Sequence, residues 1–316
     1  MEKTAESRAL VHIAAFYRHD GEYLDTVVPF LTDGLAEGDP ALALVPTDKL
    51  RLLRDALGPD ADRVEMSYMS EVGRNPAKTF AMFADALDRN RDKRVWAVAE
   101  PVWPFRSPDE YPACVQNEAL FNEAFAARDA RVLCPYDIAR LPAAAIADAR
   151  RTHPLIRDGH CVSRSAEHSW QQAWADYNQP LHTDPDAATY WIPDLTDLRA
   201  ARAFAAGHAR AAGLSEERIA DLHLIITELA TNSLKYTGTN CRLALWRRDG
   251  KLVCEVRDGG RLDDKLAGRR PAAADAIGGR GLLLVNALAD LVLMHTSDTG
   301  TTIQAQLPLE PAEVLM

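Results

Sequence analysis

The chain has 316 residues, of which 47% are hydrophobic and 26% are charged, and its formal net charge is −10. This length suits two domains, and the composition is that of an ordinary globular protein. The negative charge argues against binding nucleic acid through bulk electrostatics, because such a protein must neutralise phosphates. No apolar stretch is long enough to span a bilayer, and the first residues lack a signal-peptide core. We therefore expect a cytoplasmic protein that binds neither membranes nor nucleic acid directly.

The five cysteines are scattered, and no CxxC or HxxxH pair occurs. The spacing therefore predicts neither a disulfide framework nor a zinc site. Cys161 follows His160, with His153 nearby, so a metal or redox role there is the alternative. Because isolated cysteines are usually small buried hydrophobic residues, we interpret all five as structural.

Strand and helix patterns alternate over residues 9–154. Short aliphatic or β-branched runs predict five strands, at 10–16, 41–45, 64–69, 95–99 and 131–134. Apolar residues at three- and four-residue spacing predict four helices, at 22–36, 48–57, 77–90 and 109–127. This alternation predicts a three-layer α/β domain whose parallel sheet is covered by helices on both faces.

Residues 155–193 show weaker periodicity and contain several prolines and tryptophans. We interpret this segment as a connector with one short helix, at about 166–177.

After residue 193 the order of the patterns changes. Two helices come first, at 197–212 and 215–236, and two strands follow, at 241–247 and 252–257. After a loop come one helix, at 281–289, and two strands, at 292–295 and 302–307. Gly213 is placed to end the first helix, and Asp249-Gly250 is a hairpin signal. This order predicts that residues 194–309 form an α/β sandwich with one mixed, mainly antiparallel sheet.

Glu228 and Asn232 lie four residues apart on a predicted helix, so both side chains emerge on one face. An amide oxygen is a hard ligand that suits Mg²⁺. A carboxylate beside it can orient or deprotonate an attacking hydroxyl. Taken alone, the pair is more typical of an exposed polar helix face.

Asp258-Gly259-Gly260 follows a predicted strand. A carboxylate at this place can accept the amino hydrogens of adenine, and Gly260 lets a base approach the backbone. Taken alone, the motif is also typical of a plain turn.

Gly278-Gly279-Arg280-Gly281-Leu282 opens a predicted helix. Glycines at a helix start expose backbone N–H groups, and the helix dipole favours an anion there. The alternative is that these glycines only mark the boundary between a loop and a helix.

In this order the three motifs resemble the nucleotide-binding fold that gyrase, Hsp90, histidine kinases and the MutL repair proteins share. The resemblance covers residues 193–309 and includes Gly300-Thr301-Thr302 before the last strand. It implies that the domain binds ATP and Mg²⁺. By this resemblance, Glu228 is the base, Asn232 is the Mg²⁺ ligand, and Lys235 is the basic residue that ends the helical motif. The resemblance also implies that Asp258 binds adenine with Gly260 beside it, and that Thr302 lies near adenine. The implied phosphate-binding residues are Gly279, Gly281 and Leu282.

The resemblance also makes the loop from Arg261 to Ile277 a lid over the nucleotide. Among the classes that share this fold, the compact arrangement is most similar to anti-sigma-factor serine/threonine kinases. This implies a signalling regulator with Glu228 as the catalytic residue and with a sigma factor, an anti-anti-sigma factor, or both as partners. It also implies a homodimer through the ATP domain. The alternative is a module that holds ATP and sequesters a partner without transferring phosphate.

In a parallel α/β sheet, ligands bind beyond the carboxyl ends of the strands. In the first half of the chain, aromatic and charged residues come at the carboxyl ends of the predicted strands, which is typical of a small-molecule pocket. These residues are Tyr17, Arg18, His19, Glu100, Trp103, Arg106, Tyr136 and Asp137. One alternative places Tyr136 and Trp103 in the core and makes Arg106 a solvated charge. Another makes Glu100 and His19 the acid and base of an enzyme.

Several phrases within residues 10–154 resemble the MEDS sensory domain, which is named for methanogen and methylotroph regulators. They are residues 12–17, 99–103, 117–122 and 134–137. The resemblance implies a degenerate RecA-like fold that senses a small organic or hydrocarbon-derived signal. It implies a sensory pocket and no catalytic residue.

Overall fold

The computed structural model describes residues 9–69, 73–104, 106–270 and 279–309. It divides the chain into two compact units, one up to Tyr177 and one from Asn178. Within the described residues, no helix combines the length and the apolar composition that crossing a membrane requires.

The first unit alternates strands and helices along the chain. Its described elements are β1 (Val11–Tyr17), α1 (Asp20–Ala36), β2 (Ala41–Val45), α2 (Thr47–Leu57), β3 (Val64–Tyr68), α3 (Pro76–Arg89), β4 (Val95–Ala99), α4 (Glu110–Ala124), β5 (Ala130–Asp137), α5 (Ala143–Thr152), β6 (Leu155–Asp158), β7 (Cys161–Arg164) and α6 (Trp170–Tyr177).

The sheet of the first unit has the strand order β3-β2-β4-β5-β1-β6-β7. Strands β1 to β6 pair in parallel, and β7 pairs antiparallel with β6 at one edge. Helices α1 and α2 cover one face, where Tyr23, Leu31 and Leu53 are buried among strand residues. On the other face, Phe80 of α3 and Phe121 of α4 contact each other, and Phe121 also contacts His12 of β1. The predicted three-layer architecture is confirmed.

Two parts of the first unit differ from the expectation. Helix α5 has no sequence signal of its own, because an alanine-rich segment shows no apolar stripe; it buries Ala145 and Ala149 together with Asp148 and Thr152. The segment interpreted as a connector begins instead with β6 and β7, which extend the sheet, while its one predicted helix is present as α6. Helix α6 is fastened to α5 by the Tyr177 hydroxyl, which donates to Asp148.

The second unit places two helices before most of its strands. Its described elements are β8 (Ala188–Ile192), α7 (Leu198–Ala212), α8 (Glu216–Thr237), β9 (Cys241–Arg248), β10 (Lys251–Asp258), α9 (Gly281–Leu288), β11 (Leu291–Ser297) and β12 (Gly300–Pro308). Ser215 caps the start of α8, and left-handed glycines end α7 and α8 at Gly213 and Gly238.

The sheet of the second unit has the order β11-β12-β10-β9-β8, and every pair of neighbours is antiparallel. The α/β sandwich is therefore confirmed, but its sheet is not mixed. Strand β8 was not predicted, because its five residues lie in the proline-rich connector and depend on pairing with β9. Helices α7, α8 and α9 bury one face of this sheet, with Leu222, Ile225 and Leu243 in the core.

The opposite face carries a buried polar network around Glu255, whose side chain is fully buried. The Thr183 hydroxyl donates to both carboxylate oxygens at 2.8 and 2.9 Å, Arg242 donates to one at 2.9 Å, and Gln304 donates to the other at 2.9 Å. Gln304 also donates to the carbonyl oxygen of His182 at 2.9 Å. The network fastens the chain before β8 to the face of the sheet.

We predict that Glu255→Gln destabilises the second unit by about 1–3 kcal/mol, because it removes the charge that three donors share and leaves Arg242 without its counter-charge. Urea unfolding followed by tryptophan fluorescence measures the change. Asp186→Asn removes an exposed carboxylate from the same segment and should leave stability within about 0.5 kcal/mol of the wild type. Equal stability of the two variants would contradict the role assigned to the network.

Candidate functional site

A cavity of about 870 Å³ opens in the second unit between α8, the ends of β10 and β12, the start of α9 and the loop after β10. Six residues that the sequence motifs singled out line it: Asn232, Asp258, Gly260, Gly279, Gly281 and Leu282. The fold thus brings the three motifs together around one space.

The carboxylate of Asp258 is held in a fixed orientation at this cavity. The backbone N–H of Gly260 donates to Oδ1 at 2.8 Å, and the Ser233 hydroxyl donates to Oδ2. Ser233 is buried on α8, one residue after Asn232. A carboxylate fixed in this way presents its remaining lone pairs to a ligand in one direction.

Two glycines allow the backbone around Asp258 to pack closely. A Cβ placed on Gly300, which has a φ of +145°, would lie 2.3 Å from the carbonyl oxygen of Asp258. A Cβ on Gly260 would lie 2.3 Å from Cγ2 of Thr237. A larger residue at Gly300 therefore requires the end of β10 to shift, and one at Gly260 requires the Thr237 side chain or the backbone to move.

The threonine of β12 that lines this cavity is Thr301. Asp258 lies opposite Thr301 in the β10–β12 pairing, whereas Thr302 lies opposite Arg257. Directly opposed residues point to the same face of a sheet, so the side chains of Thr301 and Asp258 share the cavity face. The Thr301 hydroxyl also donates to the carbonyl oxygen of Gly260 at 2.7 Å. Thr302 is buried and is not among the described residues that line the cavity.

Glu228 and Asn232 lie against the first turn of α9. A Cβ on Gly281 would come within 2.3 Å of Glu228 Oε2 and 3.2 Å of Asn232 Nδ2. Glycine at this position therefore lets a carboxylate and an amide approach the N-terminal end of a helix. Glu228 is half-buried and does not line the cavity itself, while Asn232 does.

Lys235 lies outside this group. Its side chain is exposed, and its ammonium lies 5.2 Å from the ring centroid of Tyr236, which lines the cavity.

Part of the expected lid borders the cavity. Residues 261–270 are described. Among them, the backbone N–H of Leu262 donates to the Thr296 hydroxyl at 2.9 Å, and the Leu262 carbonyl oxygen accepts a hydrogen bond from the same hydroxyl. Asn286 of α9 donates to the carbonyl oxygen of Gly268 at 3.0 Å. Residues 271–278, which include Gly278 and the rest of the expected lid, lie outside the described residues.

The residues around the cavity fit a nucleotide. The volume falls in the range of small-molecule sites, which is about 300–1,000 Å³. Apolar side chains line it beside the fixed carboxylate, namely Leu229, Leu262, Leu266, Leu282 and Ile303. The amide of Asn232 and the start of α9 offer an oxygen ligand for Mg²⁺ and N–H groups for phosphate. Sequence reasoning missed Ser233 and Thr301, because their roles depend on contacts between distant strands and helices.

The first unit buries part of the expected sensory rim. The Tyr17 hydroxyl donates to Glu100 Oε1 at 2.9 Å, and the Glu100 side chain is buried. The ammonium of Lys49 lies 4.8 Å from the ring centroids of both Tyr17 and Tyr23, and 2.6 Å from Asp20 Oδ1. Burial raises the pKa of the Glu100 carboxyl to about 8, although the Tyr17 hydrogen bond and Lys49 oppose the shift. Lys49 and Tyr23 had no sequence signal that linked them to this edge.

The other rim residues are dispersed. Asp137 lies opposite Tyr17 in the pairing of β5 with β1, and its carboxylate accepts the N–H of Ala139 at 3.1 Å. Tyr136 is in the core, as its alternative interpretation held, edge-on to Phe16.

Arg106 is not a solvated charge. Its guanidinium stacks on Trp103 at 4.0 Å and pairs with Glu110 at 3.3 Å. Arg18 and His19 are exposed, and the His19 ring caps α1 by accepting the N–H of Glu22. The structure therefore separates Glu100 in the core from His19 on the surface, which removes the basis for an acid–base pair.

Comparison with known families matches both units. Residues 11–154 match the model of the MEDS domain, the methanogen/methylotroph, DcmR sensory domain. Residues 192–307 match the histidine kinase-like ATPase domain. No curated protein matches the chain. A similar solved structure is described as the SiaB-SiaC complex from Pseudomonas aeruginosa; it is 14% identical, the match covers 38% of this chain and 88% of that chain, and the TM-score is 0.31.

The cavity built by the three motifs lies within the second matched region, and the buried strand edge lies within the first. The chain is therefore a fusion of a MEDS sensory domain with a histidine kinase-like ATPase domain.

Proposed function

We propose that the chain is an ATP-dependent serine/threonine kinase of the anti-sigma-factor type, which controls a sigma factor or its antagonist in response to a signal received by the MEDS domain. The observation that carries the proposal is that Asp258, Asn232 and Gly281 line one cavity, with Glu228 Oε2 and the Asn232 amide both against Gly281 at the start of α9.

Each of these side chains has a distinct chemical task. The Asp258 carboxylate, with Gly260 and Thr301 beside it, accepts the amino group of adenine. The amide oxygen of Asn232 is the ligand for Mg²⁺, and the N–H groups at Gly279 and Gly281 face the phosphates. Bound ATP supplies the phosphoryl group for a partner's serine or threonine hydroxyl. The Glu228 carboxylate takes the proton that this hydroxyl loses.

Asp258→Asn should weaken binding of ATP and ADP about 10- to 100-fold, because it turns one of the two oxygens that accept from Gly260, Ser233 and the adenine amino group into an NH₂ donor. Titration calorimetry of the full chain with Mg·ATP and Mg·ADP measures the change. Asp263→Asn is the matched control, since Asp263 lines the same cavity with an exposed side chain paired to Arg261. Unchanged affinity in Asp258→Asn would remove the adenine assignment.

Glu228→Gln should keep nucleotide affinity within about twofold and reduce phosphotransfer at least 100-fold, since general-base catalysis typically contributes 10²–10⁴-fold. The measurement is transfer of labelled phosphate from ATP to the partner captured from native cytosol. Glu217→Gln, an exposed position in the first turn of the same helix, is the control and should transfer phosphate normally. If the wild type binds nucleotide and partner but transfers no label, the chain is a sequestering module and the kinase assignment fails.

We further propose that the carboxyl edge of β1, β4 and β5 receives the small-molecule signal. The support is the buried network of Tyr17, Glu100 and Lys49, in which a carboxyl group is held in apolar surroundings with one oxygen, Oε2, that has no hydrogen-bond partner among the described residues. Because Oε1 accepts the Tyr17 hydroxyl, the proton of the neutral carboxyl lies on Oε2. An unsatisfied buried donor costs free energy, so a ligand that accepts this proton in a hydrogen bond gains affinity.

The raised pKa of Glu100 predicts a pH-dependent stability. The folded state keeps the proton up to about pH 8, while the unfolded carboxyl releases it near 4.5. Stability therefore falls as pH rises through this window, by about 2–3 kcal/mol between pH 6 and pH 9. Lys49 opposes the effect, and Asp48 and Asp137 reinforce it.

Urea unfolding at pH 6 and pH 9 tests this pH dependence. Glu100→Gln should lose the extra pH dependence, whereas Glu37→Gln, at an exposed helix end, should keep it. Identical pH profiles for the wild type and Glu100→Gln would contradict burial of a protonated carboxyl.

A further inference from the structure

Four side chains with metal-binding atoms meet in the interior of the first unit. Their ligand atoms all lie within 4.8 Å of one another, and all four residues are buried: His12, Glu118, Cys134 and His153. They come from four elements, namely β1, α4, β5 and the residue that ends α5. Neither the nucleotide site nor the strand edge with Glu100 uses any of them.

The separations suit a single ion. Glu118 Oε2 lies 2.9 Å from His153 Nε2 and 3.3 Å from His12 Nε2, and Cys134 Sγ lies 3.5 Å from His12 Nε2. Ligands around a tetrahedral ion with bonds of about 2.0–2.3 Å are themselves about 3.3–3.8 Å apart. The cluster is thus close to the size that one such ion requires.

The hydrogen bonds behind the imidazoles fix which nitrogen carries the proton. His153 Nδ1 lies 2.9 Å from the carbonyl oxygen of Ala149, which can only accept, so Nδ1 is the donor. His12 Nδ1 lies 3.2 Å from Asn122 Oδ1. That amide is oriented by its NH₂ group, which donates to three carbonyl oxygens, including that of Thr152 at 2.7 Å. In the neutral imidazoles both Nε2 atoms therefore face the cluster as lone pairs, in the arrangement that metal-bound histidines show.

The converging atoms lack another partner. Glu118 Oε2 and His153 Nε2 are fully buried, and neither completes a hydrogen bond of acceptable geometry among the described residues, although they are 2.9 Å apart. Two imidazole lone pairs and a carboxylate oxygen directed at one point repel each other unless a proton or a metal cation lies between them. One thiolate and one carboxylate also neutralise a divalent charge, which suits a buried site.

We propose that the first unit holds a buried site for a divalent transition-metal ion of the zinc class, with four ligands: His12, Glu118, Cys134 and His153. Two imidazole nitrogens, a thiolate and a carboxylate are donors that Zn²⁺ accepts in tetrahedral sites. Binding displaces the Cys134 thiol proton to solvent as the metal–sulfur bond forms.

The test uses full-length protein without a histidine tag, purified without chelators. Elemental analysis should find about one equivalent of metal per chain. After chelator removal of the metal, added Co²⁺ should produce the intense visible bands of tetrahedral cobalt and a thiolate-to-cobalt charge-transfer band in the near ultraviolet. Cys134→Ser should abolish the charge-transfer band and weaken Co²⁺ binding more than tenfold.

Cys114→Ser is the matched control. Cys114 is buried in the same unit and donates to the Glu110 carbonyl oxygen at 3.2 Å, so this variant should keep the full cobalt spectrum. His153→Gln, which leaves the thiolate in place, should also weaken binding more than tenfold. Circular dichroism checks that each variant is folded.

Two outcomes would overturn the proposal. One is folded wild-type protein that binds less than a tenth of an equivalent of Zn²⁺ and gives no thiolate–cobalt band, which would make the cluster an imidazolium–carboxylate pair. The other is a charge-transfer band that survives in Cys134→Ser. The wild-type spectrum is decisive even if a variant fails to fold, and it does not depend on nucleotide binding.

Discussion

The nucleotide site depends on the antiparallel register between β10 and β12. This register sets Asp258 opposite Thr301 and brings Gly300 against the Asp258 carbonyl oxygen. A slip of one residue would turn the other face of β12 toward the cavity, with Thr302 in place of Thr301. The slip would also expose residues such as Leu307 that are buried against the helices. The hydrophobic core of the sheet therefore fixes the position of the Asp258 carboxylate at the cavity.

Local signals in the sequence were sufficient for much of the second unit. The four-residue spacing of Glu228 and Asn232 placed both on one face of α8, and the structure brings both to the start of α9. Gly213 ends α7 as predicted. Long-range pairing was not accessible in the same way: β8 forms because β9 is beside it, and the choice of Thr301 over Thr302 follows from a register that no short motif encodes.

In the first unit, too, the contacts of buried polar groups could not be predicted from the sequence, because they join residues far apart in the chain. The alternation of strands and helices predicted the parallel sheet, but a pattern of charged and aromatic residues at strand ends did not distinguish a pocket from the interior. Tyr136 packs in the core, and Arg106 stacks on Trp103. The proposed metal-ligand cluster was not predicted because its members lie far apart along the chain. In the order His12, Glu118, Cys134 and His153, successive members are between 16 and 106 positions apart. Parallel pairing of β1 with β5 is what sets His12 and Cys134 on one face.

The two proposed sites constrain how a signal can act on the ATPase-type domain. A ligand shifts a protein between states only by binding one of them more tightly. An ion held by β1, α4, β5 and the end of α5 would stabilise the arrangement of all four elements, because its binding free energy is lost when any ligand moves away. The loop at residues 261–270 has its own long-range contacts: Leu262 is hydrogen-bonded to Thr296 of β11, Asn286 of α9 donates to Gly268, and Leu266 is buried. A rearrangement of this loop must therefore break contacts with β11 and α9, whereas movement in the first unit must separate the ligands of the proposed ion.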